Sequence, residues 1–417
     1  MPRIGYGGTE AIIQKLTVLY IILWSISPPL QIDMVYRLAA LGCAGIWAMM
    51  ALRRGLQVYK VHIYAVLFAV AVVFIAYLEK GSFDAIMQQI AIYILVVCFV
   101  INVFYEDRWK ELSGIVPVVL VLLIVFNWNT AQILLDDHTI ARLLVRNDAA
   151  SYQYLRDGIG GYSLIYPQVC ISPAILAWTI SAFRGHKFSF AIGCLWEYTY
   201  VLCILRAGYS IAIFATVIGA ILLLLYKGKN IVSAVIVAIV LFASALAVIM
   251  YVTPVRNYLL EYFDGTAIAD KINDFVGTSE NADEGSIQDR MKAYRGSFGV
   301  ILQYPFIGSM WHGSGSGHSV LLDIFAKYGL WGGLVYAIML FYTPYYYKKK
   351  YTNKKVFRAC NAVTVAILFV GLLDAMNYSF MPMIVLVLPL LLEDVLKWEG
   401  IENENSLGGE PDSRRTG

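Results

Sequence analysis

The sequence predicts an all-α polytopic membrane protein with about twelve transmembrane helices, N-in and C-in, and three observations carry that reading. Of 417 residues, 59% are hydrophobic and only 15% charged, whereas an average soluble domain is about 25% charged. Mean hydropathy is +0.66, so a water-soluble fold would lack the polar surface to cover itself. The apolar runs extend for about 18–22 residues, the length of a membrane helix, without the apolar–polar alternation of a barrel strand. Soluble enzymes, disordered scaffolds and disulfide-rich secreted modules are excluded. A net charge of +3 is too small to argue for nucleic acid.

Taken in order, hydropathy places spans at 11–29, 34–52, 61–78, 86–104, 112–128, 163–183, 188–205, 208–226, 231–253, 317–343, 357–376 and 379–396. The first run, Ala11 to Pro29, has no small-residue cleavage site and leads into further spans, so it reads as a retained helix. Alternate connections are basic: Arg53, Arg54 and Lys60; Arg108 and Lys110; Arg184 and Lys187; Lys227 and Lys229; Lys348–Lys350 with Lys354, Lys355 and Arg358; and Lys397. The opposite short connections hold little beyond Arg37, Lys80 and Arg206. The positive-inside rule then puts both termini in the cytoplasm.

Two long loops fall on the outer face. The first, 129–162, is polar, with an LLDD turn and a GIGG segment. The second, 254–316, carries Met291, Tyr294, Phe298 and Ile301 at three- and four-residue spacing, which predicts a helix over 286–304 that Pro305 stops. Residues 1–398 thus form one transmembrane domain, and the polar tail 399–417 is expected to be disordered. All six cysteines lie in apolar runs without a CxxC pair, so neither a disulfide framework nor a zinc site is expected.

The chemistry concentrates between Asp289 and Gly333, DRMKAYRGSFGVILQYPFIGSMWHGSGSGHSVLLDIFAKYGLWGG. This stretch resembles the O-antigen polymerases and O-antigen ligases, a family of membrane glycosyltransferases. The matching positions are Arg290, Pro305, Gly308, His318, Asp323, Gly329 and Gly332, and His318–Ser319 stands where the family carries a His–Asn pair. A second piece, LRAGYSIAIFATVIGA, resembles the family's arginine at the outer start of a central helix and carries over to Arg206. The resemblance implies a glycosyltransferase of the bacterial cytoplasmic membrane. Its site would face outward, it would use polyprenyl-diphosphate-linked oligosaccharides and no cofactor or metal, and a flippase and a chain-length regulator would be its partners.

The residues fit such chemistry on their own terms. Glycan transfer needs a base for the acceptor hydroxyl and charge stabilisation for the departing diphosphate. His318 has a neutral ring available near pH 7, and nearby arginines would keep it so. Arg206 and Arg290 offer permanently charged planar forks for phosphate oxygens. Arg295, Tyr294, Trp311 and His312 are candidate substrate-binding residues, with His312 also the alternative base. Arg295 lies five residues from Arg290, about 140° round a helix, so both cannot easily serve one phosphate.

Each has a plainer reading beside it: interfacial placement for His318, a cap or a snorkelling side chain for Arg206, a solvated helix face for Arg290. Gly313–Gly317 reads as a phosphate nest or, more simply, a linker. Asp323 and Lys327 are four apart, which favours an ion pair. Glu197, midway along a span, must face the bundle, orienting a site residue or bonding a tyrosine. Tyr152, Tyr154, Tyr162 and Tyr166 could stack on sugars.

The leading functional expectation is polymerisation of lipid-linked repeat units. The alternative is a ligase delivering finished glycan to a terminal acceptor such as a lipid A core. The remaining classes are a metal-dependent transferase and a lipid-linked sugar transporter drawing on Glu197, Gln88, Gln89 and Asp374. For the metal-dependent reading the early outer loops offer only Asp33, Glu79 and Asp84. Asp136, Asp137 and His138 form the one compact potential ligand cluster outside the membrane, though three adjacent loop residues seldom complete a site.

Overall fold

The computed structural model of the chain describes residues 8–53, 63–64, 66–67, 70, 112, 114–137, 139–144, 149–228, 230–263, 268–269, 272–273, 287–309, 318–374 and 383–400. Among these, every regular element is helical. The helices are α1 Gly8–Ile26, α2 Pro28–Ile32, α3 Met34–Arg53, α4 Ile115–Asp136, α5 Ile140–Leu143, α6 Ala149–Arg156, α7 Tyr162–Ala182 and α8 Lys187–Ala207. They continue as α9 Ser210–Leu224, α10 Ile231–Tyr251, α11 Thr253–Tyr262, α12 Ile287–Gln303, α13 Val320–Lys350 and α14 Lys354–Leu373. A π-helical turn, Met383–Val387, runs on into α15 Leu388–Trp398. Six helices, α4, α7, α8, α10, α13 and α14, are long and apolar enough to cross a membrane, and α1, α3 and α9 supply shorter apolar helices. The described residues are all-helical, and the chain is a polytopic membrane protein. The expected spans at 61–78 and 86–104 lie outside the described residues, apart from scattered positions between 63 and 70.

Helix α7 is the hub. Of its most apolar stretch 89% is buried, and α8, α9, α14 and α15 pack around it. Close approach depends on small residues, as expected where lipid supplies no hydrophobic drive between helices. A Cβ on Gly219 of α9 would lie 2.8 Å from Pro173 Cγ of α7, and one on Gly193 of α8 would lie 2.2 Å from Thr179 Oγ1. Pro167 and Pro173 are tolerated inside α7 because neighbouring helices and polar side chains surround the freed backbone. Helix α10 is the opposite case: only 11% of its apolar stretch is buried among the described residues, as suits a helix bathed in lipid.

Three sequence expectations shift. Helix α4 runs to Asp136, so the polar run Asn127–Thr130 does not end the span at 128. Those polar groups pair across helices instead. Asn127 and Gln168 exchange hydrogen bonds of 2.8 and 2.9 Å, Trp196 Nε1 donates to Gln168 Oε1 at 3.0 Å, and Thr130 Oγ1 accepts from Gly160 N at 2.9 Å. The connection from α4 to α7 is correspondingly shorter and carries α5 and α6.

Second, α13 spans 31 residues but is broken at Gly329, where φ is +65° and ψ −170°. An unbroken helix would bond Leu330 N to Ala326 O. Here the turn after α12 takes both groups: Leu330 N donates to Pro305 O at 2.7 Å, and Ser309 N donates to Ala326 O at 2.8 Å. The backbones meet glycine to glycine. A Cβ on Gly308, itself at φ +78°, would lie 2.3 Å from Lys327 O, and one on Gly329 would lie 2.3 Å from Phe306 O. The resembling Pro305–Gly308 and Gly329 positions therefore form a backbone splice. Third, Asp374 does not lie inside a span reaching 376; it caps the C-terminus of α14 in extended conformation.

At the opposite end of the bundle, Glu393 accepts from Tyr347 and Tyr351 at 3.1 and 3.0 Å, and Lys355 pairs with Glu399 at 2.6 Å. These contacts tie α15 to α13 and α14.

Candidate functional site

One end of the bundle gathers the start of α7, the end of α8, the start of α9, the start of α13 and the end of α14, with α12 laid across it. The last carbonyls of α14 have no intrahelical partners and sit at the negative end of its dipole, so they attract donors and cations. Arg290 Nη1 donates to Leu373 O at 3.2 Å, and the Tyr294 hydroxyl donates to the same oxygen at 2.9 Å. Ser319 Oγ donates to Gly371 O at 3.1 Å, and Val320 N donates to Asp374 O at 3.1 Å.

Asp374 is the electrostatic centre. It is 4% exposed, accepts a short hydrogen bond from the Tyr166 hydroxyl, and lies 3.9 Å from Arg290 Nη1. Tyr162, Tyr166 and Tyr209 form an aromatic group beside it, with centroids 4.9, 4.7 and 6.0 Å apart. Burial acts to lower the Arg290 pKa, but the Asp374 carboxylate and the surrounding phenols outweigh it, so the guanidinium is held more firmly charged than usual. Burial pushes the Tyr294 phenol up against the pull of Arg290, which keeps it a neutral donor.

Helix α12 reaches the bundle along one face. Arg290, Tyr294 and Ser297 recur at four and three residues; the first two contact α14, and Ser297 Oγ donates to Asp323 Oδ1 of α13 at 2.7 Å. Ser319 also caps α13, its Oγ accepting from Leu322 N at 3.2 Å. His318, partly exposed, is thereby carried at the mouth of this cluster by a helix start fixed to α14.

The structure thus brings His318, Arg290 and Tyr294 to one end of the bundle. Arg206 is at that end too, in the last turn of α8, but its Nη1 donates to Ala131 O of α4 at 2.7 Å and bridges two helices. Arg295 points elsewhere: exposed, it lines an apolar hollow of about 360 Å³ with Met291, Tyr294, Phe298, Gly299 and Leu322. Trp311 and His312, the 313–317 glycine–serine run and His138 lie outside the described residues. Asp137 turns its Oδ1 onto Thr139 N and Oγ1 at 2.8 and 2.6 Å. Glu197 Oε1 is buried with no hydrogen-bond partner among the described residues.

Sequence reasoning undervalued Asp374, Tyr166 and Tyr209. The available signal was Asp374 itself, a lone acid closing the apolar run 354–373, where a carboxylate demands a cation or donors. No protein-family model matches the chain, and no curated protein matches it.

Proposed function

We propose that the chain is a membrane glycosyltransferase that polymerises polyprenyl-diphosphate-linked oligosaccharide repeats at the α12-covered end of the bundle, in a bacterial cytoplasmic membrane with that end facing outward. The observation that carries the reading is Arg290, permanently charged, held at the bundle end on Leu373 and Asp374, with 24% of its side chain still open and His318 carried at the same end. The resemblance of the surrounding sequence supports it.

In this reaction a hydroxyl of the incoming lipid-linked repeat attacks the anomeric carbon of the growing glycan. The new glycosidic C–O bond forms as the old bond to the diphosphate breaks. The His318 imidazole takes the hydroxyl proton, and the Arg290 guanidinium balances charge building on the departing polyprenyl diphosphate. Asp374 and Tyr166 hold Arg290 in place, and Tyr294 fixes α12 above it.

The test is conversion of purified lipid-linked repeats by the protein in vesicles. Wild type should yield a ladder of lipid-linked polymers, and His318→Ala should lose at least about a hundredfold in rate while remaining folded. Polymer formation by His318→Ala at the wild-type rate removes the assignment. Single transfer to a lipid A core acceptor without a ladder identifies a ligase instead.

A further inference from the structure

We infer that α11 is an interfacial anchor, lying in the headgroup layer of the bilayer at the candidate-site end, with Tyr258 and Tyr262 as its membrane-facing side chains. Helix α10 ends at Tyr251, Val252 breaks the helix, and Pro254 restarts it as α11. On a 100°-per-residue wheel, Val255, Tyr258 and Tyr262 fall within about 60° of one another, while Asn257 lies about 100° or more from each of the two tyrosines. Tyr258 and Tyr262 are 64% and 71% exposed, and Val255 39%. The less exposed residues, Arg256, Leu259, Leu260 and Phe263, occupy a different arc.

What covers the aromatic arc follows from continuity. The last turn of α10 exposes Val248, Met250 and Tyr251 at 41%, 43% and 80%, and Val252 at 40%, with exposed Thr253 and Pro254 joining these to Val255, Tyr258 and Tyr262. Of the six spans among the described residues α10 is the least covered, so its open side is the bilayer contact, and α11 follows directly from its end. Tyrosine suits the boundary because its ring is apolar and its hydroxyl stays wet. A glycan is the other partner for exposed tyrosines, but these two rings stack on each other, 6.3 Å apart at 19°, which leaves less open face for sugars. Valine beside them favours lipid.

The anchor does not depend on the glycosyltransferase reading, and its test uses no transfer assay. A photoreactive benzoyl-phenylalanine is placed singly at Tyr258, Tyr262 or Asn257 in the full chain, reconstituted in phosphatidylethanolamine–phosphatidylglycerol vesicles and irradiated. Mass spectrometry should find phospholipid adducts at 258 and 262 on the order of tenfold above those at 257. All three positions are exposed, so the probes disturb little, and the 257 variant controls for folding on the same helix. Equal lipid labelling at the three positions, or adducts at 258 and 262 formed with the chain itself or with added oligosaccharide, overturns the inference.

Discussion

Gly308 and Gly329 show how much a single hydrogen atom in place of a methyl can hold together. Either substitution by alanine sets a Cβ 2.3 Å from a carbonyl oxygen, at a positive φ, in a contact formed by backbone on both sides. Gly308→Ala and Gly329→Ala should each cost about 2–4 kcal/mol, read as a lowered midpoint of thermal unfolding in detergent. Gly299, inside α12 with nothing within 4 Å of its added Cβ, is the contrast. Gly299→Ala should be neutral or stabilise by up to about 1 kcal/mol. A fall for Gly299 equal to that for Gly308 would refute the splice. Arg290→Lys should retain the fold yet lose transfer, because one ammonium cannot serve Leu373 O and an anion with the geometry of a fork. The wild-type transfer rate in that variant would remove the role given to Arg290. At this scale the sequence named His318 and Arg290 with the roles proposed for them, but gave no purpose for Gly308 and Gly329. The partners of Gly308 lie some twenty positions away along the chain, and no local pattern announces an exchange of hydrogen bonds between a turn and a helix.

Among the elements, α12 was legible because its three- and four-residue spacing is strong, but its contact face was not: Met291 and Phe298 of the apolar stripe are 48% and 55% exposed, and Arg290, Tyr294 and Ser297 make the contacts. The end of α4 was not. Asn127 and Thr130 read as polar residues leaving the membrane, and only the positions of Gln168 and Gly160 on other segments make them interior. A one-dimensional hydropathy profile cannot distinguish an amide facing water from one facing another amide. The pairing has a measurable weight. Gln168→Leu strands both Asn127 and Trp196 Nε1, and should destabilise by about 1–3 kcal/mol for each donor left unpaired. Asn127→Leu, which leaves Gln168 bonded to Trp196, should cost less. The two unfolding midpoints compare them directly, and equal losses would show that Trp196 takes no part. Tyr294→Phe removes only one hydroxyl from α14 and should cost about 0.5–1.5 kcal/mol, with α12 more open to protease.

Across the whole molecule, class was the easiest property to read, since composition alone demands lipid as a solvent. Orientation is a prediction with a direct check: reporters fused after Lys227 and after Phe263 should report cytoplasmic and outer locations respectively. The same side for both would refute α10 as a span. The gathering of the site was the least legible feature, because it needs the ends of five helices and α12 at one end of the bundle. Helix α13 also bears on how the protein is made. At about 1.5 Å per residue its 31 residues measure about 46 Å, well beyond the roughly 30 Å hydrocarbon core. When this segment first enters the bilayer, Ala326 O and Leu330 N can bond each other in an unbroken helix. The folded arrangement trades that bond for two others, both made with the turn after α12. An unbroken α13 and a docked turn are therefore alternatives, because Ala326 O and Leu330 N cannot serve both at once. Insertion of the span does not by itself couple α12 to the start of α13.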